Sequence, residues 1–200
     1  MGSYRPTAGR RAGRSATPAG CPDAPTPGSA AADTPEADPE AVARSICLRQ
    51  LTLGPRSRGQ LAEVLVRRDV PEDVAERVLD RLAEVGLIDD AAFAAAWVRT
   101  RVAGKGLARR AIAGELRARG VDEDVAADAL EALDGDEERA TARALVDRRL
   151  PATRGLAPEV RMRRLGGMLA RKGYGHGLAL QVVRDALADE RADTVAREAP

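Results

Sequence analysis

The sequence predicts an all-α fold: three tandem three-helix repeats forming an elongated array, preceded by a disordered N-terminal tail. Three observations carry this reading. Alanine makes up about a fifth of the 200 residues and aromatics only 2%. That composition favours helices, because alanine has the highest helix propensity while strands draw on β-branched and aromatic residues. From Glu40 onward apolar residues recur at helical spacing, as in Val74, Val78, Leu82 and Val85. Finally, Leu61 to Val74 superposes without gaps on Ile112 to Val125, an offset of 51 residues that continues through Leu79 over Leu130 and Leu82 over Leu133. A looser third copy appears at Leu165, Leu169, Lys172, Gly173, Tyr174, Leu178, Val182 and Val183.

Taken in order, residues 1–39 are rich in Pro, Ala, Gly, Ser and Thr and lack a periodic apolar pattern. They cannot bury enough surface to offset the entropy of ordering and are assigned as a disordered tail. Repeat 1 spans 40–88, with Gly54-Pro55 breaking its first helix from its second and Asp69 standing where a left-handed residue is wanted, at some cost. Repeat 2 spans 89–134. Asp89 and Asp90 can cap its first helix, which is expected to turn Phe93, Trp97 and Val98 inward and to break at Gly104 and Gly106. A buried Trp97 would make its truncation cost about 3 to 5 kcal/mol. The second helix runs from about Leu107 to Arg119 and stops at Gly120, a natural left-handed residue. The third starts at the acids Asp122 to Asp124, which suit a helix N-terminus, and ends near Leu133. Repeat 3 spans 135–187 and holds Gly166-Gly167 inside a helix, a weakness of roughly 1 kcal/mol each. Residues 188–200 are expected to form a C-terminal tail.

Several function classes fall away by inventory. The longest apolar stretch, Ala91 to Val98, is far short of the roughly 18 residues a spanning helix needs. No apolar region follows the early arginines, so a secretory signal is not expected, and two cysteines make no disulfide framework. A cytoplasmic protein with no membrane contact is the expectation. His176 is the only histidine and sits between Gly175 and Gly177, which suits the start of the last helix better than a nucleophilic triad. One histidine and two cysteines cannot assemble a four-ligand zinc site. Neither Lys105 nor Lys172 lies in a phosphate-loop motif. The carboxylate pairs Asp89-Asp90 and Glu137-Glu138 stand where helix starts want acids, and capping explains them. No catalytic residue, metal or cofactor is predicted.

The basic residues carry more information. Net charge is only +1, but residues 135–187 hold eleven basic against six acidic residues. Two spans contain no acid. Between Asp90 and Glu115 lie Arg99, Arg101, Lys105, Arg109 and Arg110; from Val160 to Arg184 lie Arg161, Arg163, Arg164, Arg171 and Lys172. These ten are the candidate partner-binding residues, able to meet phosphates or a partner's carboxylates; a solvated helix surface is the bland alternative. A base-reading helix-turn-helix is disfavoured, because the relevant turns read Pro71-Glu72-Asp73 and Asp122-Glu123-Asp124, which phosphates would repel, and the chain has no asparagine. Four aromatics make no stacking platform for single strands.

The run Gly86-Leu-Ile-Asp-Asp90-Ala-Ala-Phe93-Ala-Ala-Ala-Trp97-Val98-Arg99-Thr-Arg101, then Gly106, then Ile112-Ala-Gly-Glu115-Leu116-Arg-Ala-Arg-Gly120-Val121, resembles the central signature of the RecX family, regulators of the bacterial recombinase RecA. Arg56-Ser57-Arg58-Gly-Gln-Leu61 and Leu169-Ala-Arg171-Lys172-Gly173-Tyr174 look like the matching stretches of its first and third repeats. The resemblance covers roughly Glu40 to Leu187. It implies a protein that lies in the groove of the RecA filament on DNA, impedes filament growth and suppresses strand exchange, ATP hydrolysis and co-protease activity. Direct contact with DNA is then expected to be weak and electrostatic, and the protein a monomer. The alternatives are a helical-repeat scaffold for another protein partner and a nonspecific DNA-binding protein.

Overall fold

The computed structural model describes residues 38–198. All but the last two residues of the expected N-terminal tail lie outside that range. The described residues form nine α-helices, three to a unit. The first unit consists of α1 (Pro39–Thr52), α2 (Arg58–Val66) and α3 (Glu72–Glu84); the second of α4 (Asp90–Lys105), α5 (Arg109–Arg117) and α6 (Glu123–Glu131). The third consists of α7 (Gly135–Arg149), α8 (Pro158–Arg171) and α9 (His176–Glu198), with a 3-10 turn over Leu150–Thr153.

Local chemistry sets the helix starts. Asp38, Asp89, Asp122 and Asp134 each accept a hydrogen bond from a backbone N–H of the first turn they precede. Ser57 and Gln60 form a reciprocal capping box at α2. The stops at Gly106 and Gly120 follow expectation, but the break expected at Gly104 does not form. Gly106 closes α4 in the left-handed region at φ 56°, while Gly104 is carried inside the helix. Asp69 and Gly120 stand at φ 57° and 67°, so the first unit bears a side chain where the second has none. The pair Gly166-Gly167 does not interrupt α8.

Each unit has its own core, and the three cores are built on equivalent positions. Ala43, Cys47, Leu61, Leu65, Ala75 and Leu79 in the first unit correspond to Ala94, Val98, Ile112, Leu116, Ala126 and Leu130 in the second and to Ala142, Val146, Leu165, Leu169, Ala179 and Val183 in the third. All are buried. Between units two and three the offset is shorter for α7 than for α8 and α9, because the connection before α8 (residues 150–157) is longer than the one before α5 (residues 106–108). That lengthening accommodates the 3-10 turn and makes the third copy look irregular in sequence. Burial among these side chains pushes the Cys47 thiol above its ordinary pKa.

Two features differ from expectation. Where a tail was expected after Leu187, α9 continues to Glu198, tied back by Asp189 to Arg143 and by Glu190 to Arg154 and Arg161. Phe93 and Trp97 are half-buried against the second core rather than inside it; Ala94 and Val98 fill the inward positions of α4.

Candidate functional site

Close packing between helices falls inside units, so the units meet at two narrow joints that repeat one design. At the first joint, the Ser57 hydroxyl donates to the Arg119 carbonyl (2.5 Å) and the Arg58 N–H donates to Asp90 Oδ1 (2.8 Å). A Cβ on Gly59 would come within 2.6 Å of Gly120 Cα, so two glycine backbones lie directly against each other. At the second joint, the Ala108 N–H donates to the Lys172 carbonyl (2.9 Å) and the Arg109 N–H to Glu138 Oε1 (3.0 Å). There the Lys172 ammonium reaches the Lys105 carbonyl (2.5 Å), and the Tyr174 hydroxyl donates to the Gly106 carbonyl (3.2 Å). Burial, aided by the Glu138 charge, pushes the Tyr174 phenol up to about 12. In both joints a second helix begins against the C-terminal turn of the next unit's second helix. Asp90 and Glu138 therefore do more than favour a helix start. Each binds the preceding unit, a role beyond the capping that their sequence positions suggest.

The joints and the contacts within each unit sort the ten candidate cations. Arg101 does not face outward. It lies 3.7 Å from the Trp97 ring centroid and pairs with Glu115 at 2.6 Å. Arg119 covers the other ring face at 3.6 Å, Phe93 stacks alongside, and the indole N–H donates to Glu115 (2.9 Å). Partial burial works to raise the Glu115 pKa, but Arg101, the indole and the Arg119 charge outweigh it and hold the carboxyl below the usual range. Arg161 is likewise turned inward, onto Glu190 and Thr153 Oγ1. Burial is opposed and outweighed there too, by Arg154 and Arg161, which keep Glu190 low. Arg109 is exposed but bends its guanidinium to the Leu133 carbonyl. Lys172 is spent on the joint, beside the exposed Lys105.

Arg99, Arg110, Arg163, Arg164 and Arg171 remain exposed and form no ion pair or side-chain hydrogen bond among the described residues. Four of them converge on the third unit. Arg110, Arg163 and Arg171 line a groove of about 990 Å³ between α8 and α9, and Arg163, Arg164 and Arg171 line a second hollow of about 480 Å³ together with Arg149. Arg99 belongs to neither. Three cations of these surfaces went unread: Arg149, Arg184 and Arg191. Arg184 closes the second acid-free span and was within reach of the same reasoning, whereas Arg191 lay in the expected tail.

No group of three or more His, Cys, Asp or Glu that could hold a metal ion is found among the described residues, and none of their helices is long and apolar enough to cross a membrane. Three linked helical bundles with cations gathered at the third define a helical-repeat protein whose chemistry lies in its surfaces. The comparisons with known proteins identify its family. Models of the first, second and third three-helix domains of RecX match residues 43–82, 89–130 and 136–183. The regulatory protein RecX of Thermobifida fusca is 59% identical over 84% of this chain and 89% of its own length. That of Streptomyces coelicolor is 58% identical over 80% and 85%. A crystal structure of a regulatory protein RecX superposes with a TM-score of 0.66 at 28% identity, covering 74% of this chain and 73% of the other. RecX from Lactobacillus salivarius shares the fold, with a TM-score of 0.69 at 20% identity over 74% and 97%. The chain belongs to the RecX family of regulatory proteins.

Proposed function

We propose that this protein is a cytoplasmic negative modulator of RecA that binds in the groove of the RecA–DNA filament, wedges between neighbouring protomers and inhibits recombinase, ATPase and co-protease activity. The observation that carries this reading is membership in the RecX family across all three units. The cations Arg99, Lys105, Arg110, Arg163, Arg164 and Arg171 are the exposed side chains assigned to the filament, with any DNA contact confined to its backbone. Arg101, Arg109, Arg161 and Lys172 support this surface from within, through the contacts that fix the second and third units.

Adding the full chain to RecA hydrolysing ATP on single-stranded DNA tests the reading. Turnover should fall as the chain approaches the concentration of RecA, and charge reversal at Arg163 and Arg164 should weaken the effect with helical content unchanged. Undisturbed hydrolysis at stoichiometric excess would overturn it. Salt separates the DNA-binding alternative: affinity for bare DNA that falls with a slope of about 0.9 per contacted phosphate, and matches the affinity for the coated filament, would favour nonspecific DNA binding.

A further inference from the structure

The groove between α8 and α9 has a floor and rim of opposite character. Met162, Ala179, Leu180 and Leu187 give it an aliphatic lining, and a Cβ built on Gly166 would meet nothing within 4 Å. Around this lining stand Arg110, Arg163, Arg171, Arg184 and Arg191, against one acidic side chain, Glu159. The five guanidiniums form no ion pair or hydrogen bond among the described residues, so their charge is uncompensated within the described fold. At about 990 Å³ the groove has room for several side chains.

We propose that this groove docks an acidic segment of a protein partner, whose aliphatic or aromatic side chains lie on the floor while its carboxylates meet the arginine rim. The charge pattern selects an acidic occupant, because each carboxylate gains an unpaired guanidinium and meets almost no like charge. The floor selects a peptide over a nucleic acid: single strands bind through successive aromatic stacking, and the lining offers only the lone imidazole of His176, since its other ring, Tyr174, is buried with its hydroxyl fixed to Gly106. An amphipathic segment laid into a groove on anchors three or four residues apart satisfies both halves. The inference builds on the reading of the third-unit arginines as a partner surface, but needs no particular partner.

The test uses the full chain and a short fluorescent peptide of Asp and Glu with Leu or Phe at every third or fourth position. Two companion peptides replace the apolar residues by Ser or the acids by Lys, and labelled oligo(dT) is the nucleic-acid probe. Fluorescence anisotropy should show the amphipathic acidic peptide binding at least about tenfold more tightly than either companion or oligo(dT). Gly166→Leu fills the open space without asking more of the helix, since leucine is the better helix former. It should cost at least about tenfold in affinity, as should the pair Arg163→Glu and Arg184→Glu, with the circular dichroism unchanged. Equal binding of the three peptides, indifference to Gly166→Leu, or preferential binding of oligo(dT) would each overturn the proposal. So would a concentration-dependent dimer, seen in sedimentation, that Gly166→Leu abolishes, because the occupant would then be a second copy. If no peptide binds while RecA hydrolysis is still suppressed, the groove proposal fails and the regulatory reading stands. Groove-dependent peptide binding without suppression of RecA is the reverse case.

Discussion

A tryptophan in a chain with four aromatics invites placement in the core, yet Trp97 is held at the surface by charge. Its two faces carry Arg101 and Arg119, and its indole N–H shares Glu115 with Arg101. Cation–π contacts of this kind contribute about 0.5 to 1 kcal/mol each where partly exposed. Trp97→Ala should therefore cost about 2 to 3 kcal/mol in urea unfolding followed by circular dichroism, less than truncation of a fully buried tryptophan. A loss above about 4 kcal/mol would mean that the ring is a true core element. The same cluster fixes an acid response. Glu115 is held below its ordinary value of 4.5, so it favours the folded state above that pH, and the contribution disappears as pH falls through the lowered value. Unfolding midpoints measured from pH 6 to 3 should decline on the acid side. Glu115→Gln should be less stable at pH 6 yet lose less on acidification, and an unchanged acid limb would show that other carboxylates dominate it.

Among the elements, apolar periodicity made the first two units legible, because their buried positions repeat at a fixed offset and their turns carry Gly or Asp where left-handed backbone is required. The third unit was blurred by its longer connection before α8, and the end of α9 could not be read from apolar spacing at all. Residues 188–197 bury no side chain fully; ion pairs from Asp189 and Glu190 fasten the start of that extension, and pairing at such distances in sequence leaves no periodic trace. The candidate site was half legible for the same reason. An acid-free span marks where charge accumulates, but Arg101 and Arg161 find their acids in α5 and α9. Asp69 tests the turn logic directly. At φ 57° it occupies the position taken by Gly120 in the second unit, so Asp69→Gly should relieve strain and raise stability by about 0.5 to 1 kcal/mol in chemical denaturation. A decrease would show that the carboxylate has a role the turn alone does not explain.

Across the whole molecule, three small cores must act as one object although little surface joins them. In repeat proteins, stability is close to a sum of unit terms and nearest-neighbour terms, so a narrow joint sets how far one unit's order reaches the next. The first joint depends on the contact of Gly59 with Gly120, and the substitution Gly59→Ala separates unit from joint cleanly. Gly59 lies in a helix where alanine is the better former, so the unit itself should gain, while the added methyl would press on Gly120 backbone that has no flexible end to yield. Gly114→Ala supplies the control, since its Cβ meets nothing within 4 Å and should only stabilise α5, by roughly 0.5 to 1 kcal/mol. Hydrogen exchange should report faster loss of protection at the Arg58 amide, which Asp90 holds across the joint, in Gly59→Ala but not in Gly114→Ala. Denaturation of Gly59→Ala should broaden as the first unit uncouples from the second. If spanning neighbouring RecA protomers requires the units in fixed register, this variant should also lose suppression of RecA hydrolysis while Gly114→Ala keeps it. Full suppression by a chain whose first joint exchanges freely would show that each unit acts on its own.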